Sequence, residues 1–231
     1  MTPADPARIV GLIDLTSLDE SDSADVIGAL CDRAVTPLGP VAAVCVLPRF
    51  VAQCADRLDG TGVRIATVAN FPGGEPDPDG AARTTAAAVL EGADEVDVVA
   101  PWRAFLDGRE DVLGELVRAC ADECEHLKVI LETGSHPDPA TTRRMAEAAV
   151  GAGAAFLKSS TGKVGQGATL EATRLLLEVT AGRAGVKASG GIRATADAQA
   201  HVALADELAP GPATAQTFRL GASSLLADLL A

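Results

Sequence analysis

Tyrosine is missing from this 231-residue chain, and tryptophan occurs once. Lysine is nearly as scarce, at four residues against fifteen arginines. Histidine occurs three times, at widely separated positions, and none of the five cysteines lies in a CxxC pair. Cys120 and Cys124 share a helical face, where two buried thiols are the expected arrangement. With no ligand-spaced His/Cys/Asp set, a metal site is not expected, and unpaired thiols fit a reducing cytoplasm. No apolar run approaches the ~20 residues of a membrane span. The opening MTPADPAR lacks the basic-then-apolar order of a secretory signal, so the expected location is cytoplasmic. Positive charge is short as well. The net charge of −13 disfavours nucleic acid and anionic membranes as partners.

What is present is alternation. Short apolar runs begin near residues 12, 43, 65, 95, 128, 156, 185 and 218, reading LIDLT, VCVLP, IATVANF, EVDVVAP, KVILET, FLKSST, GVKAS and FRLGA. Helical patterns such as DGAARTTAAAVLEGA and PATTRRMAEAAVGAGA lie between them. A near-constant strand–helix period is the mark of parallel βαβ units. Eight units predict an α/β chain folded as one (β/α)8 TIM barrel over residues 1–231. The rival, a doubly wound open sheet, would use fewer strands, and no GxGxxG follows the first.

The few lysines are informative because arginine does not lose its proton in a protein and cannot become a neutral nucleophile. Lys158 and Lys187 lie inside the sixth and seventh strand runs, which are neighbours in a barrel. Snorkelling at strand ends is the plain alternative. If both face inward, burial and a second ammonium each push an amine toward its free base, the form that attacks a carbonyl. Asp97, among valines on the fourth strand, needs a partner or a function, and a proton relay with the lysines is the preferred reading. Asp14 on the first strand poses the same question, with a satisfied structural carboxylate equally acceptable. The last three strands end in SSTGK (159–163), SGGIR (189–193) and GASS (221–224). Such loops let backbone N–H groups approach an anion, and barrels often bind phosphate after strands seven and eight. Ordinary loop chemistry explains any one of these pairs equally well, but two at adjacent strand ends make a stronger case.

Read together, IDLT (13–16), VCVLPRFV (44–51), IATVANFP (65–72), GADEVDVVAPWRAF (92–105), KVILETG (128–134), FLKSSTGK (156–163), KASGGIR (187–193) and FRLGASSLLADLL (218–230) resemble the deoxyribose-phosphate aldolases over nearly the whole chain. The resemblance implies a class I aldolase that reversibly cleaves 2-deoxy-D-ribose 5-phosphate to D-glyceraldehyde 3-phosphate and acetaldehyde, with no metal or organic cofactor. It implies that Lys158 forms the Schiff base, and that Lys187 and Asp97 perturb it and move protons. Asp14, Thr161, Gly162, Lys163, Gly190, Gly191, Gly221, Ser223 and Ser224 are the expected substrate and phosphate contacts. The expected partners are the small-molecule sugar phosphate and acetaldehyde, and a homodimer is allowed. Ser159 and Ala188-Ser189 depart from the common family residues but keep the lysine and glycine register. Several relatives carry a C-terminal tail ending in a tyrosine that assists proton transfer. Here no tyrosine exists, so slower exchange of acetaldehyde methyl protons with solvent is expected. Two rivals remain: a lysine aldolase for another sugar phosphate, and a barrel that binds a sugar phosphate without turnover.

Overall fold

Residues 4–231 are described by a computed structural model. Eight parallel strands close into a barrel: β1 (Ile13–Thr16), β2 (Ala43–Val46), β3 (Arg64–Ala69), β4 (Glu95–Val99), β5 (Leu127–Ile130), β6 (Phe156–Lys158), β7 (Gly185–Ser189) and β8 (Phe218–Ala222). Each pairs with its sequence neighbours, and β8 closes onto β1 through Ile13–Leu220, Asp14–Gly221 and Leu15–Ala222. The eight strands begin within one residue of the positions read from the apolar runs. An antiparallel ribbon, Val35–Thr36 with Gly39–Pro40, was not expected; it lies outside the barrel before β2.

Helices fill the returns, and their starts are written in the sequence. The helix before β4 (Pro78–Leu90) is capped by Asp77, which accepts from Gly80 N, and opens on Pro78. The helix before β6 (Pro139–Gly151) repeats the device with Asp138 and Pro139, and the helix before β7 (Leu170–Thr180) uses Thr169. In each, a side-chain oxygen satisfies an N–H that has no partner inside the helix, and proline occupies a position needing no donor. No helix of the described residues is long and apolar enough to cross a membrane.

Valine, isoleucine, leucine and alanine form the layer between barrel and helices. The barrel axis is different. Asp14, Glu95, Asp97, Lys128, Lys158, Lys187 and Arg219 occupy it, all at most 3% exposed. Below them Phe156 fills the space that Gly185 leaves empty, since a Cβ on Gly185 would overlap the Phe156 ring. Three carboxylates face four cations there. Such an arrangement is tolerable only if every charge is paired, because each ion costs several kcal/mol to desolvate.

Candidate active site

Strand register makes the pairing. Asp97 lies beside Lys128, Lys158 beside Lys187, and Lys187 beside Arg219 on successive strands. Asp97 Oδ1 accepts from Lys128 Nζ at 2.8 Å, and Oδ2 accepts from both Lys158 and Lys187 at 2.8 Å. Lys187 is also 2.5 Å from Asp14 Oδ2, and Lys128 is 2.6 Å from Glu95. Arg219 closes the lower end by bridging Asp14 at 2.6 Å and Glu95 at 2.8 Å.

The charges fix one another. Burial alone would raise the Asp97 carboxyl, but Lys128, Lys158 and Lys187 together hold it well below the usual carboxylate range. Asp14 is depressed in the same way by Lys187 and Arg219, against its own burial. Burial would lower the Lys187 ammonium, yet Asp14 and Asp97 raise it above its ordinary value. Lys128 is likewise raised by Asp97 and Glu95. Cys45 Sγ lies 4.0 Å from Asp97, and burial pushes its thiol up. Lys158 is the interior lysine with the fewest counter-ions: its ion pair is with Asp97 alone.

Lys158 is also the interior ion that meets a cavity. A hollow of about 350 Å³ at the C-terminal mouth is lined by Lys158 and by Thr161, Gly162, Lys163, Gly190, Gly191 and Gly221, with Thr16, Ser189, Arg193 and Ser223 among its other walls. All three expected loops therefore converge on one lysine. Two predicted residues stand apart. Asp14 does not line the hollow; it lies beneath it, fully buried between Lys187 and Arg219. Ser224 caps the last helix, behind the Ser223 that lines the wall. Gly221 does line the hollow, and its missing side chain also makes room below: a Cβ there would come within 2.6 Å of Ser189 and 3.1 Å of Lys187 Cε.

Part of the hollow presents groups that can meet an anion. Among the described residues, the N–H groups of Gly191 and Ser223, and of Ser224 behind them, show no protein acceptor. Lys163 and Arg193 add positive side chains, and Asp19 a negative one. The N–H groups of Gly162 and Lys163 are already engaged, by Ser160 Oγ at 2.9 Å and Thr161 Oγ1 at 3.0 Å, so that loop offers its ammonium rather than its amides. A larger hollow of about 840 Å³ between the Pro78–Leu90 helix and the loop after β2 reaches none of the interior lysines. No cluster of three metal-ligating side chains occurs among the described residues.

Four members of the network, Lys128, Glu95, Arg219 and Cys45, were not singled out from sequence. Glu95 had a usable signal, since it stands two residues from Asp97 and a strand's period of two puts both on one face. Lys128 opens its strand and reads as a strand-end lysine. Arg219 reaches across the barrel interior to Glu95, a contact that no local pattern records.

An ionic barrel axis opens through Lys158 into a hollow ringed by glycine-rich loops at the C-terminal mouth, where enzymes of this barrel class place their active sites. A family model described as DeoC/LacD family aldolase matches residues 9–231, and the chain belongs to that family. Among solved structures, a candidate deoxyribose-phosphate aldolase from Coccidioides immitis superposes with a TM-score of 0.87 at 30% identity, covering 100% of this chain and 87% of that one. An aldolase designated QR15 gives 0.83 at 28% identity, covering 96% and 94%. A tetrameric deoxyribose phosphate aldolase from Aeropyrum pernix gives 0.82 at 24% identity, covering 98% and 91%, a likeness of fold.

Proposed function

We propose that this aldolase cleaves 2-deoxy-D-ribose 5-phosphate to D-glyceraldehyde 3-phosphate and acetaldehyde through a Schiff base on Lys158. The observation that carries the reading is the position of Lys158. It stands in the wall of the hollow, while Lys128 and Lys187 are enclosed beneath it. In the proposed sequence Lys158 gives up a proton and its amine adds to the aldehyde carbon of the open-chain sugar. Loss of water leaves the imine. A base takes the C3 hydroxyl proton, the C2–C3 bond breaks, and its electron pair moves into the imine to give an enamine. Glyceraldehyde 3-phosphate departs. Protonation of the enamine carbon and hydrolysis of the imine then release acetaldehyde and restore Lys158.

The supporting residues follow from the same geometry. Asp97 touches both Lys158 and Lys187, so a proton lost by the nucleophile stays within a three-membered group. Lys187 keeps its charge beside Asp14 and Asp97 and stands ready to stabilise developing negative charge nearby. The free amides of Gly191, Ser223 and Ser224, with Lys163 and Arg193, suit the phosphate. They hold the reacting carbon near Lys158, which is binding energy used for positioning.

Acetaldehyde release from the phosphorylated and unphosphorylated sugars tests this. The phosphorylated sugar should be favoured by about a hundredfold or more in kcat/KM. Equal values would mean the rim does not read a phosphate, and no cleavage of either sugar would refute the substrate assignment.

A further inference from the structure

Glu132 takes no part in the chemistry above, yet it is held in an unusual way. It follows β5 and is fully buried. Its backbone is left-handed, at φ 58° and ψ 49°, a region that a residue with a long side chain seldom occupies. Among the described residues, no lysine or arginine pairs with its carboxylate. The oxygens turn instead to the loop that leaves β6. Ser160 Oγ donates to Oε1 at 2.9 Å, and Thr161 N lies 3.3 Å from both oxygens. On either side of Glu132 the backbone is stitched to the strand carrying the nucleophile: Leu131 N donates to the Lys158 carbonyl at 2.9 Å and Thr133 N to the Ser159 carbonyl at 2.8 Å.

The contacts continue outward. A carboxylate only accepts, so the Ser160 hydroxyl must donate to it and present a lone pair elsewhere. That lone pair accepts Gly162 N, which fixes the turn leading to Lys163. Beyond the turn, Gly167 packs on Gly190 so closely that a Cβ would overlap the Gly190 carbonyl, and Ala168 N donates to that carbonyl at 2.9 Å. Gly134, two residues after Glu132, packs against the Gln166 backbone in the same way. The loop is thus clamped between the end of β5 and the glycines after β7.

We propose that Glu132 is a positioning residue whose carboxylate sets the 159–168 loop, so that Lys163 and the Gly190-Gly191 turn converge on the anionic end of the substrate. The inference rests on the phosphate reading above. It makes a prediction opposite in sign to a purely electrostatic role. A buried negative charge below an anion site repels the ligand, so if charge were all that Glu132 contributed, removing it would tighten anion binding.

The experiment titrates inorganic phosphate into the unliganded protein and its E132G and E132Q variants. Glycine relieves the left-handed backbone, so loss in E132G reports the carboxylate and not added strain. Binding should weaken about tenfold or more in E132G, while E132Q, which keeps an acceptor for Ser160, should stay within about threefold of the parent. kcat/KM should fall in E132G for the phosphorylated sugar mainly through KM, and much less for the unphosphorylated one. Unchanged or tighter phosphate binding in E132G overturns the proposal, as does an equal loss on both sugars. If E132G does not accumulate, Ser160→Ala removes the hydroxyl between Glu132 and Gly162, and it carries the same expectation and the same refutation. The phosphate titration needs no turnover. A parent protein that binds phosphate through Glu132 but cleaves no sugar would sink the substrate assignment and leave this one standing.

Discussion

Lys158 and Lys187 share one carboxylate oxygen, and the difference between them lies in their other neighbours. Lys187 has Asp14 as a second partner; Lys158 has the cavity. Lys158→Arg should therefore abolish cleavage while keeping the charge and the contact to Asp97, because a guanidinium forms no imine. Retained turnover would exclude Lys158 as nucleophile. Asp97→Asn leaves three ammonium groups around a neutral amide. It should lower unfolding free energy by about 3–5 kcal/mol, measured by urea denaturation, in addition to its effect on rate. The same pairs set the response to pH. Asp14 and Asp97 lie below their unfolded values, so the unfolded chain protonates first on acidification. Their contribution is complete above the unfolded value of about pH 4 and is lost as pH falls through the folded ones. The raised lysines, Lys128 and Lys187, contribute fully below about pH 10 and lose that contribution only at higher pH. Urea midpoints should thus show no loss from these groups between about pH 5 and 9 and drop below about pH 4. A midpoint that holds at pH 3 would contradict the ionic barrel axis.

At the scale of elements, the strands and the rim loops were legible and the barrel's lower interior was not. Short apolar runs at a near-constant strand–helix interval place each strand because that signal is local. The SSTGK, SGGIR and GASS loops were readable because they recur at the ends of consecutive strands, where a single one would pass as ordinary loop chemistry. Arg219 was hidden because its role comes from a partner across the barrel, 124 residues away at Glu95, and Lys128 because it reads as a strand-end lysine. Glu132 was hidden because a left-handed glutamate leaves no trace in composition. Gly221 shows a mixed case: it was read as a phosphate contact, and it also gives Lys187 and Ser189 their space. Gly221→Ala should cost about 1–3 kcal/mol through crowding. It should lower kcat more than it raises KM, because the crowded group is Lys187. A change in KM alone would return Gly221 to the rim.

For the molecule as a whole, the sign of the charge is reversed between outside and site. The chain carries a net charge of −13, whereas the barrel axis holds four cations against three carboxylates, and the rim adds Lys163 and Arg193 against Asp19. An acidic protein can hold a phosphate when fixed amides and a few cations face it at close range, where bulk charge is screened within about 8 Å at physiological ionic strength. The imine on Lys158 serves as the electron sink in the proposed reaction, a task that a Lewis-acid metal performs in other aldol cleavages. Activity should accordingly survive exhaustive chelation; loss on EDTA with recovery on zinc would replace the Schiff-base scheme. The most direct measurement of that scheme is borohydride reduction of the protein in the presence of acetaldehyde, followed by peptide mass spectrometry. A two-carbon adduct on Lys158 is the predicted result. An adduct on Lys187 or Lys128 instead, or none on any lysine, would contradict it.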